Sequence, residues 1–424
     1  MASRPDEQSD CQADTTSDQW RKTTRSGEAA PTSASDTNEM SEHRGGKIVT
    51  PASKWVKEWS SALYANVPIK SKEIRLIELQ PSDDAADIRC KLQSYALEPV
   101  APTYVALSYR WGGKNADCFI KVNEESVCVG RNLWMFLREM RRRCFSKKIW
   151  IDALCINQKD ATERSQQVQM MRQIYTSARS VCVWLGEADA LIDAAMDFMT
   201  TYKSLTQQLR RARIADISKL TAKTGYYFWT KQIAKAMLSF SSNTYWTRVW
   251  IIQEFILAKE ISICSGTREV DWQLFNQVIV EVDNLRKNGR PGCVPLLTRF
   301  LSSPAVKITK TRKNIGPQLR PLVDLLLDFK DQQATDPCDK IYALLGLAVE
   351  GAKISVDYHA STEDLLMQVV ERACRSDLRP HAPSKRWHNV EITRLAHLLA
   401  AMLRIHCPAG RVKHHVEATE HLRG

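Results

Sequence analysis

Lys148-Ile-Trp-Ile-Asp-Ala-Leu-Cys-Ile156 is apolar on both faces at strand spacing, with a single carboxylate in its middle. A strand covered on one side alternates between apolar and polar residues; one that does not alternate belongs inside a sheet covered on both sides, which is usually parallel. Tyr104-Val-Ala-Leu-Ser-Tyr109 upstream is a second strand of this kind, ending at a turn through Gly112 and Gly113. Downstream, Ser180-Val-Cys-Val-Trp-Leu185 is a third. Helical segments separate them. One starts near Asn132 and places Leu133, Phe136, Leu137 and Met140 at helical spacing. The next opens at Asp160-Ala-Thr-Glu163, which has the form of a capping box, and carries Met170, Met171, Ile174 and Tyr175. Strands alternating with crossover helices predict an α/β fold, with 104–109, 148–156 and 180–185 as parallel neighbours.

Further out, Ile74–Leu79, Ile88–Leu92 and a hairpin of Cys118–Val122 with Ser126–Val129 read as strands. Residues 1–50 are polar, with few aliphatic side chains, and are expected to be disordered; order is expected from near Trp55. From about Ala190 the pattern turns helical, at 191–205, 229–240, 245–258, 273–286, 321–329, 337–345 and 362–374. A strand pair, 260–264 and 269–272, interrupts it. Asp336-Pro337 has the form of a helix start, with Asp as N-cap and Pro in the first helical position. The stretch 289–318, with prolines and basic residues, reads as an irregular insertion. The resulting division is a polar segment 1–50, an α/β core 51–190, a mainly helical region 191–375 and a tail 376–424.

Across 424 residues, 44% hydrophobic and 25% charged residues suit a globular chain with a sizeable core. No apolar run reaches the length of a membrane span, and the polar, mixed-charge start has no signal-peptide form. The 12 cysteines are scattered without a C-x-x-C pair, which points to reduced thiols in a cytoplasmic setting and to no metal. The net charge of +12 raises nucleic acid as a partner. Its clusters, Arg138 to Lys148 and Lys307 to Lys313, lack interleaved aromatics and read rather as solvated faces.

Four strings, in order, resemble the HET domain of fungal heterokaryon-incompatibility proteins: Tyr104–Gly112; Ile149–Gln158 continuing through Glu163-Arg164, Gln167, Met171, Tyr175 and Ala178 to Val183–Gly186; Tyr245–Glu254; and Asp336–Leu347 with Val356-Asp-Tyr358. The resemblance covers about three hundred residues, roughly Ile74 to Ala373. Cys338 departs from it, since the family usually has Arg there, and a salt bridge of relatives is expected to be missing. Beyond about Arg379 nothing is similar. The resemblance implies a TIR-like fold and a role in nonself recognition and programmed cell death. It also raises the NAD cleavage performed by enzymatic TIR domains, with NAD as substrate and no resident cofactor; fold alone does not confer that activity.

Cleavage at the nicotinamide bond needs a carboxylate to stabilise an oxocarbenium-like centre, and an aromatic wall. Glu163 is the candidate catalytic carboxylate, because it follows the end of a central strand where open α/β sheets bind ligands. The alternative is that it closes the capping box on the Asp160 amide. Asp152 inside an apolar strand is either an anchor for an Arg or a site residue. Tyr109, Arg110 and Trp111 are candidate binding residues at the end of the first strand. Cys155 reads as a buried thiol, with no His between His43 and His359 to activate it. Arg248, Gln253 and Glu254 read as structural. Three functions stay open: a death effector acting by assembly, through self-association or an incompatibility partner; an NAD hydrolase; and, more distantly, a basic nucleic-acid-binding regulator.

Overall fold

The computed structural model describes residues 61–81, 87–99, 102–112, 117–211, 229–287, 294–315, 318–374 and 389–421. The polar segment 1–50, Trp55 and Gly113 of the expected turn lie outside them.

The described strands form one sheet of nine: β1 Glu73–Leu79, β2 Arg89–Ala96, β3 Tyr104–Tyr109, β4 Asp117–Val122, β5 Glu125–Gly130, β6 Lys148–Trp150, β7 Ser180–Trp184, β8 Ile261–Ser265 and β9 Arg268–Asp271. Their order is β5-β4-β2-β1-β6-β3-β7-β8-β9. The centre, β6-β3-β7-β8, is parallel throughout. Val105 lies opposite both Ile149 and Ser180, so β3 is the middle of the three strands expected as parallel neighbours. All six β3 side chains are buried, as a strand covered on both faces requires. Antiparallel pairs close both sides, β1 against β6 and β9 against β8. The mixed sheet followed by a mostly helical region is consistent with a TIR-like architecture.

The helices that position the site are α1 Ser61–Asn66, α2 Arg131–Arg142, α3 Asp152–Cys155, α4 Ala161–Gln169, α5 Met171–Ser177, α6 Ala190–Arg211, α7 Lys231–Ser241 and α8 Trp250–Leu257, with α9 Trp272–Lys287 following β9. The side chain of α2 residue Phe136 meets Trp184 of β7 edge-on, at 5.7 Å between ring centres. On α5, Tyr175 meets Trp150 of β6 the same way, at 5.5 Å. Helix α8 is buried along Ile251–Leu257, which is why its sequence is apolar all round.

Four expectations need correction. The strand of 148–156 stops at Trp150, and 152–155 form a helical turn, with Leu154 and Cys155 amides both donating to the Ile151 carbonyl. A short apolar run suits a buried turn as well as a strand. The stretch 289–318 is no irregular insertion where it is described: it holds helices α10 Val294–Leu301 and α11 Pro304–Ile315. Pro295 and Pro304 fall in their first turns, where a missing N–H costs nothing. Leu297, Phe300, Val306 and Ile308 of these helices are buried. The strand pair at 260–272 does not merely interrupt the helical half, since β8 joins β7 and extends the sheet. Finally, the helix at Asp336-Pro337 is assigned from Asp339, although Asp336 does cap the turn by accepting from the Cys338 amide at 3.0 Å.

The basic clusters are largely paired within the fold. Glu139 holds Arg142 and Arg143, each at 2.8 Å. Arg312 of α11 donates to the carbonyls of Phe255, Ile256 and Ala258 at 2.6–2.8 Å, so it caps the carboxyl end of α8. Burial pushes its guanidinium down to about 10. No helix among the described residues is long and apolar enough to cross a membrane.

Candidate functional site

At its carboxyl end β3 delivers Ser108 and Tyr109, then leaves the sheet as Arg110-Trp111-Gly112. Gly112 has φ +86, a left-handed conformation that favours glycine. The exit is held by Asn132 of α2, whose Nδ2 donates to the Arg110 carbonyl at 2.6 Å while its Oδ1 accepts from Trp184 Nε1 at 2.9 Å. One amide therefore ties the ends of β3 and β7 together. Arg110 is exposed, and its Nη1 donates to Thr244 Oγ1 at 3.1 Å.

Beside this exit, Asp152 begins α3. Its Oδ2 accepts from Trp111 Nε1 at 2.8 Å and its Oδ1 from the Ala153 amide at 2.7 Å. Burial pushes its carboxyl above the ordinary value, while Arg248 and the Trp111 hydrogen bond oppose the rise. Arg248 Nη1 donates to the Tyr109 carbonyl. Behind Arg248 lies Glu254 of α8, 3% exposed, accepting from Ser108 Oγ. That hydroxyl is also 2.6 Å from Tyr245 OH, and Tyr175 of α5 forms a further hydrogen bond with Glu254. Burial pushes the Glu254 carboxyl up to about 7, with Arg248 again opposing. A largely buried polar cluster thus joins β3, α3, α5 and α8 at the carboxyl ends of the central strands.

Of the residues singled out in the sequence, Tyr109, Trp111 and Asp152 meet here, with Arg110 at the rim. Glu163 has different partners. Its carboxylate receives a two-pronged ion pair from Arg75 of β1, at 2.6 and 3.0 Å. It also accepts from the Asn157 amide at 2.6 Å. Arg75, itself 1% exposed, donates further to the carbonyls of Val67 and Cys155 and lies over the Tyr64 ring at 4.7 Å. The capping box is half made: Asp160 Oδ1 accepts from the Thr162 and Glu163 amides, but the Glu163 side chain turns to Asn157 instead of returning to Asp160. Cys155 is fully buried, and burial pushes its thiol up to about 12.

A second polar group joins the 336–358 segment to α4. Arg164 stacks over Tyr358 at 3.6 Å, and Tyr358 OH donates to Asp339 Oδ1 at 2.8 Å. Burial, then the neighbouring Asp336, push Asp339 up to about 6. Cys338, where the resemblance leads one to expect Arg, is buried between these carboxylates, with Arg164 the cation that faces Asp339. Among the described residues, no group of three or more His, Cys, Asp or Glu side chains is arranged to hold a metal ion.

Sequence reading missed Ser108, Tyr245, Arg248 and Glu254 as parts of one cluster, and missed Arg75 altogether. The available signal was polarity out of place: Glu254 in Trp-Ile-Ile-Gln-Glu-Phe-Ile-Leu, and Arg75 in Ile-Arg-Leu-Ile. A buried ionisable group in such a string needs a partner, and finding it requires the topology.

Comparison with known proteins covers part of this span. Residues 104–254 match the family model of the heterokaryon incompatibility protein (HET), a span that begins with β3 and ends on Glu254. Heterokaryon incompatibility protein 6, OR allele, of Neurospora crassa is 27% identical to this chain, over 77% of the chain and 55% of that protein. The chain therefore spans just over half of that relative's length. No solved structure matches.

Proposed function

The chain is a HET-domain protein, linked by that domain to fungal heterokaryon incompatibility, and from this premise we propose that it acts in the cytoplasm as an assembly-dependent death effector. Its partners under this reading are proteins, a further copy of itself or an incompatibility partner, and not nucleic acid. The observation that supports it is the commitment of the carboxylates near the ends of the central strands. Both oxygens of Glu163 are bonded to Arg75, both oxygens of Asp152 to Trp111 and the Ala153 amide, and Glu254 to Ser108. Groups so engaged rigidify a module. They are poorly placed to stabilise a developing charge on a ligand.

A second reading is retained for one observation: exposed Arg110 lies beside half-buried Trp111 where β3 ends, the position at which open α/β sheets bind ligands. Under it the domain cleaves NAD, with Glu163 as catalytic carboxylate and Tyr109, Arg110, Trp111 and Asp152 lining the site.

One expression experiment separates the two. Arg75→Met with Glu163→Leu removes both charges together, and such apolar replacement of a buried pair is often close to neutral in stability. Cells expressing the wild type or the double variant are scored for death and for NAD content, with the melting temperature of each protein measured alongside. Assembly predicts that the folded double variant still kills and that NAD is unchanged with either protein. A folded double variant that neither kills nor consumes NAD, beside a wild type that does both, would establish the enzyme instead.

A further inference from the structure

Two carboxyl groups in the cluster, Glu254 buried and Asp152 half-buried, face a single guanidinium. Asp152 and Glu254 have neutral hydrogen-bond partners: an indole and an amide for the first, hydroxyls for the second. Arg248 is the cation acting on both, and it donates its own hydrogen bond to the backbone of Tyr109. With both carboxyls ionised the cluster carries one uncompensated negative charge, which a buried site disfavours strongly. With one proton held, the charge is balanced.

We infer that Asp152, Arg248 and Glu254 form a proton-controlled latch, in which the proton held on Glu254 leaves Arg248 to fasten the end of β3, and its loss loosens the Arg110–Trp111 exit. The latch is independent of whether the domain works by assembly or by cleavage. Glu254 is the titrating member, since burial holds it near neutrality and the Asp152 charge adds to the rise. The phenols around it do not change charge in that range. Tyr109, Tyr175 and Tyr245, from β3, α5 and the turn before α8, are pushed by burial well above the ordinary phenol value and stay neutral. Cys182 of β7 faces Tyr245. At the two ends of α8, Asp339 bonds Trp250 and Arg312 holds the last carbonyls. Asp339, pushed up to about 6, is the one neighbour whose titration could be mistaken for the latch.

The direction follows from linkage. A carboxyl whose folded value is raised stabilises the closed state below its ordinary value and ceases to do so as pH rises through the folded value. For a midpoint of about 7, opening to a state of ordinary acidity becomes about tenfold easier between pH 6 and pH 8. Amide hydrogen exchange of the full chain reads this directly in peptides covering 104–112 and 245–257, after correction for intrinsic exchange. Wild type should lose about tenfold protection there, with a midpoint near neutrality. Glu254→Gln should be flat with pH, and Asp339→Asn should respond like wild type. Asp152→Asn, which removes the repelling charge, should move the midpoint down. The same pH response in Glu254→Gln, or loss of the response in Asp339→Asn, overturns the latch. If Glu254→Gln does not fold, an unmoved midpoint in Asp152→Asn overturns it equally.

Discussion

Glu163→Gln is the substitution whose outcome says most about how the domain is held together. In wild type the Arg75 side chain is 1% exposed and that of Glu163 12%, with two N–H···O contacts between them. Neutralising Glu163 leaves a buried guanidinium without its counter-charge, and breaking a buried pair from one side costs about 3–5 kcal/mol. Arg75 keeps its bonds to the Val67 and Cys155 carbonyls and its place over Tyr64, and Gln keeps one acceptor. That puts the loss at the lower end, about 3 kcal/mol, or roughly 4–6 °C in melting temperature for a fold of about 300 residues. Glu163→Ala, which also forfeits the acceptor for the Asn157 amide, should cost more. Urea titration and thermal melting of the two single variants and of Arg75→Met/Glu163→Leu give the measurement. The double variant should recover most of the loss. If Glu163→Gln unfolds within about 0.5 kcal/mol of wild type, or the double variant is no better than the single ones, the pair is not the anchor described above.

Trp150→Ala should cost about 3–5 kcal/mol in urea unfolding, because the indole is fully buried against Tyr175; Trp150→Phe should cost less, as the indole Nε1 is buried without a hydrogen-bond partner. Arg312→Met should lower stability by about 2–4 kcal/mol through the α8 carbonyls it leaves unmet, and exchange protection should fall first at the carboxyl end of that helix. Gly351→Ala should cost more than about 2 kcal/mol, since a Cβ there would lie 1.9 Å from the Leu345 carbonyl oxygen, a backbone atom that cannot turn aside; a melting temperature equal to wild type would contradict this.

The central sheet was legible because its strands bury both faces, so short apolar runs at 104–109, 148–150 and 180–184 had few other readings. The same property hid the turn at 152–155. An apolar run continuing past a strand end looks alike whether it stays extended or coils, and the sign that it coils, Asp152 bonding the amide of the next residue, is local geometry that composition does not carry. At 289–318 the error came from treating proline as a breaker without asking where in a turn it falls. Pro295 and Pro304 each open a helix whose inward face is Leu297 and Phe300 in one case, Val306 and Ile308 in the other.

The site was legible to the extent that buried charge is conspicuous, and no further. Sequence alone shows Arg75, Asp152, Glu163, Arg248 and Glu254 in or beside apolar strings, but offers no rule for pairing them, and proximity along the chain suggests placing Asp152 and Glu163 together. The sheet order decides otherwise. Because β1 lies beside β6, with Ile77 opposite Ile149, Arg75 is carried to the Cys155 carbonyl and meets the chain just after α3, which is where Glu163 returns at the start of α4. Because β3 lies on the other side of β6, Asp152 meets Trp111 as that strand leaves the sheet. Strand β6 thus stands between the two systems, with an anchoring ion pair on the β1 side and a titratable cluster on the β3 side. A perturbation confined to one should leave the other intact: Glu163→Gln should lower the melting temperature while leaving the pH response of residues 104–112 unchanged, and Glu254→Gln should do the reverse at pH 6, where wild-type Glu254 already holds its proton.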